Sequence, residues 1–323
     1  MSTIELFKRG GNEAVKINPP NGVDFHITKR GSDWLFAAFC IFALFSIVFI
    51  FLMFRKPVHQ RLVYITAIAP NVFMAIAYFT IASNLGWAPV RAKYNHVRTD
   101  TQTQHPGTRQ IFYARYVGWF MALPWPVIQA SMFGNTPILH TAFNCAMACA
   151  FTVCFLVASV VHSTYKWGYF TIGCGFAIVT VVSIMTTTLN LIRKIGDQER
   201  EKTFYVYFCP ILALWLVAWP VCFGISDGGN VLQPDSEAIF YGIIDLIILG
   251  FFPALFVPLA SHVGTDNFTI EVFSENANAA AAGMAKSPSY TDMEKSPASS
   301  PTPVTPKPKA SIKKPKLMKK NKN

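Results

Sequence analysis

Seven apolar runs decide what this chain can become. They fall at about 33–54, 62–86, 111–133, 138–162, 167–192, 203–224 and 238–260. Each is long enough to cross a bilayer core, which takes roughly 20 residues of α-helix. A large soluble helical core would show polar faces at helical spacing. Runs such as "WLFAAFCIFALFSIVFIFLMF" have none. Composition agrees, with 52% of the 323 residues hydrophobic and 14% charged, a balance unlike that of soluble domains. The chain therefore reads as an all-α membrane protein, a bundle of seven transmembrane helices set in the lipid bilayer.

Three segments emerge from the same pattern. Residues 1–32 are a polar outer segment, 33–260 the bundle, and 261–323 a tail rich in Ala, Ser, Thr, Pro and Lys. Such a tail buries too little apolar surface to fold. The first 32 residues show no short apolar core with a small-residue cleavage site, so the first helix is expected to act as its own uncleaved insertion signal. The 87–110 loop, with "VRTDTQTQHPGTRQ", reads as a hairpin or an irregular cap. The short link "GNTP" at 134–137 makes the third and fourth spans antiparallel neighbours.

Net charge is +11, and ten of the 28 basic residues are lysines in the last 63 positions. With Arg55, Lys56 and Arg61 in the first loop, they point to a cytoplasmic C-terminus and an N-terminus outside. The N-terminal segment and the 87–110 loop are also basic and argue the other way. All seven cysteines lie inside spans, which speaks against a disulfide framework. None stands at zinc-site spacing with histidines, so no metal is expected. Neither a nucleophile–base set nor a phosphate loop is present, so the chain does not read as an enzyme, and nothing in it suggests nucleic acid.

Charge inside a membrane is costly and marks function. Two charges fall well inside the runs, Arg115 and Asp245, while Asp227 and Glu237 flank the last two spans on the outer side. Two readings stand: a structural ion pair between helices, or part of a charge-transfer path. No lysine lies deep in a run. Lys166 opens one, and Lys194 and Lys202 sit in a loop. A protein that holds an aldehyde as a Schiff base needs an amine in its pocket.

The third span reads "ARYVGWFMALPWP" and the sixth ends "WLVAWPVCFGISDGGN", with "PDSEAIFYGIID" next. These motifs resemble those of the microbial rhodopsins across all seven spans. More narrowly they resemble the fungal opsin-related proteins, the heat-shock-type seven-helix membrane proteins. Arg115, Tyr116, Trp119 and Pro124 match the third-helix motif. The resemblance puts Gly118 at the primary counterion position and Gln129 at that of the cytoplasmic proton donor. It aligns Asp227 and Glu237 with two outer proton-release acids and Asp245 with the second counterion. The retinal lysine comes four residues after that aspartate, and Leu249 stands there. The resemblance thus implies no covalent retinal and a vestigial pocket of Tyr116, Gly118, Trp119, Ala122, Leu216, Trp219, Pro220, Phe223 and Leu249. Trp215, one place from its expected position, and Tyr241 are further wall residues; ordinary helix packing explains the same aromatics. His140 and His162 read as interfacial. With the pump acids gone, Asp245 is expected to pair with Arg115, in a buried network with Glu237 and Asp227.

The tail carries Ser287, Ser296, Ser300, Thr302 and Thr305, each with proline after it. Phosphorylation there would loosen lysine-rich attachment to an anionic leaflet; a solvated tail with incidental sites is the plainer reading. Asn267 heads an "NFT" sequon on the expected cytoplasmic side, where it stays unmodified. The resemblance implies a stress and acid-adaptation factor of the plasma membrane, restraining the proton-pumping ATPase. Two other readings are a light-independent proton or ion channel and a chaperone-like membrane stabiliser. A light-driven retinal pump is the least favoured. The family often forms homo-oligomers.

Overall fold

Apolar length sets where the helices run, and paired polar residues set where they stop. A computed structural model describes residues 11–100, 102–103 and 106–263. The tail serines and threonines, and Asn267, lie outside the described residues. A single turn, α1 (Ala14–Ile17), precedes α2 (Lys29–Phe54), whose first turn is capped by the Thr28 hydroxyl accepting from the Arg30 amide. Then come α3 (Arg61–Ala82), an antiparallel hairpin of β1 (Ala88–Arg91) and β2 (Thr108–Ile111), α4 (Tyr113–Ala122) and α5 (Pro124–Phe133). The chain closes with α6 (Ile138–Val160), α7 (Lys166–Ile195), α8 (Gln198–Gly228) and α9 (Pro234–Val263).

Six of these helices are long and apolar enough to cross a membrane. The seventh crossing is α4 and α5 end to end. Leu123 joins them in helical geometry, φ −65° and ψ −31°, and Pro124 begins α5, where its missing N–H costs least. The expected third span is thus one crossing in two pieces, and the expected hairpin is present.

Three crossings contain a π-helical turn, at Ile184–Thr188, Gly224–Gly228 and Leu246–Phe251. Each inserts an extra residue and rotates the remainder of its helix. Asp227 lies within the second, and Asp245 immediately precedes the third.

The segment expected to be polar and outer also holds buried apolar residues. Its stretch 12–28 packs onto the bundle, with Phe25 and Ile27 buried. Phe25 pairs with Arg109 in an isolated bridge. Asn18 donates to the Ser83 carbonyl, and Asn84 returns a bond to the Asn18 carbonyl. Backbone groups leaving α3 are satisfied in this way. This stretch and the hairpin together close one end of the bundle, the hairpin end.

Candidate functional site

Helical spacing divides the work of α4. Arg115 and Tyr116 project toward the hairpin end, and Trp119, one turn on, reaches the middle of the bundle. On α9, Glu237 and Asp245 are eight residues apart, about two turns. Arg115 meets the first and Trp119 the second.

The hairpin-end cluster is charged. Arg115 Nη1 donates to Glu237 Oε1 at 2.5 Å, and Arg109 Nη2 to Glu237 Oε2 at 2.5 Å. Arg109 Nη1 also reaches the Asn230 side chain and, at 2.8 Å, the Leu232 carbonyl. The Tyr116 hydroxyl donates to Asp227 Oδ2. Lys166 Nζ donates to the Asp227 backbone carbonyl at 2.7 Å, a cation at the C-terminal end of α8, where the helix dipole favours it. The Arg115 guanidinium lies 4.2 Å from the centre of the Tyr241 ring. Arg109, Arg115, Lys166, Asp227 and Glu237 are all at most 4% exposed.

Two turns deeper, Asp245 is fully buried and accepts three bonds from neutral donors. Tyr78 OH is at 2.8 Å and Trp119 Nε1 at 3.0 Å on Oδ2, and Trp219 Nε1 at 2.9 Å on Oδ1. The expected Arg115–Asp245 pair is not formed. The helical register gives the guanidinium to Glu237, and the two indoles with Tyr78 take its place at the aspartate. With Asp245 included, the site holds three cations and three carboxylates.

The pocket residues form a packed aromatic centre. Trp119 and Trp219 stack with centroids 4.9 Å apart and planes at 26°. Tyr116, Tyr241 and Phe151 pack around them. Gly118, Ala122, Phe223 and Leu249 are buried. Leu216 and Pro220 are only half-buried, a correction to their place in the pocket wall; Trp215 turns inward instead and meets Phe151 edge-on. The reason for Gly118 is steric, because a Cβ there would stand 2.6 Å from Ala77 Cβ on α3.

Toward the opposite end, Gln129 Nε2 donates to Thr66 Oγ1 at 3.2 Å and to the Pro253 carbonyl at 3.4 Å. Near it lies an apolar void of about 20 Å³ walled by Leu123, Val127, Trp215, Ile248 and Phe252 among others. His140 on α6 bonds Ser183 on α7, and His162, just past the end of α6, faces the Arg91 carbonyl.

Sequence reasoning alone does not place Arg109, Lys166 or Tyr78 in the site. The first two lie in a strand and at the start of a helix, positions that read as solvated; Tyr78 sits in an apolar run. A basic residue at the edge of a run, close to unpaired acids, is the available signal.

Fold and site together define a multi-pass seven-helix membrane protein with a buried ion cluster at one end. The chain belongs to the bacteriorhodopsin-like protein family, whose pattern matches residues 30–261. It is 63% identical over 272 residues to Protein YRO2 of Saccharomyces cerevisiae, covering 84% of this chain and 78% of that one. The 30 kDa heat shock protein of the same yeast is 35% identical, with 78% and 79% covered. The solved light-driven proton pump LR (Mac) of Leptosphaeria maculans superposes with a TM-score of 0.66, covering 76% of this chain and 98% of that one. At 24% identity that likeness speaks for the fold alone. The expected kinship with fungal opsin-related proteins holds.

Proposed function

We infer that this is a non-photoactive, non-enzymatic opsin-related protein of the plasma membrane. It acts in the dark as a stress and acid-adaptation factor that restrains the proton-pumping ATPase. The observation that carries the dark reading is the aromatic seal over Asp245. Retinal does not fit these residues. Leu249 offers no amine for a Schiff base, and the Trp119–Trp219 stack at 4.9 Å leaves no slot for a polyene between the rings. The donors that a protonated Schiff base would supply to Asp245 come from Tyr78, Trp119 and Trp219 instead.

The stress role rests on likeness to a protein named for heat shock. The hairpin end faces outward in this reading, because Arg55, Lys56, Arg61, Arg193 and Lys194 gather at the opposite end, as cytoplasmic loops do. A conducting function is disfavoured by the neutral Gln129 and the apolar void next to it, since a proton relay needs titratable or hydrated groups in sequence.

The test is proton extrusion and cytosolic pH in host cells with the gene intact, deleted or overexpressed, in darkness, before and after weak-acid or heat stress. Changes that vanish when the proton ATPase is inhibited support the regulator. Flux that persists under inhibition and scales with the amount of this protein would replace it with a conductor.

A further inference from the structure

A second, small cavity lies at the hairpin end, between the hairpin, the start of α7 and the end of α8. Its volume is about 10 Å³, and Arg109, Lys166, Asp227, Ser159 and Asn230 help to line it. Two polar atoms face each other there without hydrogen-bond partners, Arg109 Nε and Asp227 Oδ1, 3.9 Å apart. Buried polar atoms are rarely left bare, because each loses its hydration with no bond in return. Lys166, 2% exposed, spends one ammonium hydrogen on the Asp227 carbonyl. No carboxylate oxygen among the described residues lies within 4.0 Å of it.

The charge count at this end is uneven. Arg109, Arg115 and Lys166 face Asp227 and Glu237, three cations to two carboxylates, with Asp245 two turns away. The exposed Arg91 and Lys93 form part of the same wall. With Asp245 counted the cluster is neutral, so the imbalance is local: Lys166 has no described carboxylate within 4.0 Å, and an anion that enters with a proton gives it an acceptor without changing the net charge.

We propose that this cavity is a site for a small monovalent anion of halide size, taken up together with one proton on Asp227. The anion accepts from Arg109 Nε–H, from the free hydrogens of Lys166 and from the protonated Asp227 Oδ1. All the bare polar atoms of the cavity are then satisfied. Other groups that face Asp227 are Tyr116 and Arg115 from α4, Glu237 and Tyr241 from α9, and Cys222 from its own helix. Both Glu237 oxygens are held by guanidinium groups, whereas Asp227 Oδ1 is open. The proton, drawn from solvent, therefore goes to Asp227. At about 10 Å³ the cavity has room for about one water, so a halide enters only as the wall moves outward, and the exposed Arg91 and Lys93 side chains are the part free to give.

The experiment uses the full chain in lipid nanodiscs, comparing chloride or bromide with gluconate at constant ionic strength. Thermal midpoint and proton uptake, monitored with a pH dye, are read together. The expected result is saturable, halide-specific stabilisation with one proton taken up per halide. Affinity should rise about tenfold per pH unit of acidification on the alkaline side of the Asp227 titration, as linkage to one proton requires. Lys166→Gln should weaken binding at least tenfold. Asp227→Asn should keep halide binding and lose its pH slope, because the amide N–H replaces the acid O–H. Identical behaviour of the wild-type protein in halide and gluconate at every pH would mean the cavity holds water only, and would overturn the proposal. Halide binding without proton uptake would overturn the coupling.

Discussion

Arg115 Nη1 lies 2.5 Å from Glu237 Oε1, in a pair whose side chains are each 3% exposed. The other Glu237 oxygen is held by Arg109, so one carboxylate is shared by two buried guanidinium groups. Glu237→Gln leaves Arg115 without a described carboxylate within 4.0 Å and Arg109 with Asp227 alone, at 3.9 Å. A loss of ~3–5 kcal/mol is expected, the range for breaking a buried pair from one side. Thermal unfolding in detergent or nanodiscs measures it. A loss below about 1 kcal/mol, the level of an ordinary exposed pair, would mean that the two arginines find other partners.

Asp245 anchors three donors from three different helices. Asp245→Leu orphans the Tyr78 hydroxyl and two indole N–H groups, each worth about 1–3 kcal/mol when buried unpaired. Trp219→Phe removes one donor and keeps the stack, and should cost about 1–2 kcal/mol. Unfolding midpoints in that order, with Asp245→Leu much the lower, are the expected outcome.

Gly118 is fixed by the approach of α4 to α3. Gly118→Ala places a methyl group 2.6 Å from Ala77 Cβ and should destabilise by about 1–3 kcal/mol through overpacking. The double variant Gly118→Ala, Ala77→Gly removes the clash and should recover most of that loss. Equal midpoints for single and double variants would place the strain elsewhere.

Leu249→Lys restores an amine at a fully buried position without opening the aromatic stack. Incubated with all-trans retinal, the variant should develop no visible absorption band. A stable band would show that Trp119 and Trp219 separate readily.

Asp24, in the segment over the hairpin end, has a carboxylate pKa held below the usual range. Burial acts to raise it, but bonds from the Thr103 amide, the Thr108 amide and the Thr103 hydroxyl outweigh that effect. A depressed folded-state pKa adds stability that is present above the unfolded value and lost as pH falls through the folded one. Amide exchange at Thr103 and Thr108, corrected for the intrinsic rate, should therefore speed up only on strong acidification. Asp24→Asn should make it fast and pH-independent.

Much of the fold is legible in the sequence because membrane helices write themselves as long apolar runs with few interruptions. The acids are legible too, since Asp227, Glu237 and Asp245 stand out in apolar surroundings. Their partners are not. Whether Arg115 meets Asp245 or Glu237 depends on the axial register between α4 and α9, and no local pattern records it. Lys166 is hidden for a related reason: at the first position of a helix it looks solvated, yet the end of α8 covers it. The three π-helical turns leave no mark in composition, although each changes which side chains share a face.

The six buried groups of the site, Arg109, Arg115, Lys166, Asp227, Glu237 and Asp245, carry formal charges that cancel. A single charge crossing a membrane does work of about 2.3 kcal/mol per 100 mV. A cluster of zero net charge does almost none when it shifts as a body. The helices around it can rearrange against one another at nearly constant electrical cost, so the resting potential of the cell neither drives nor opposes that movement.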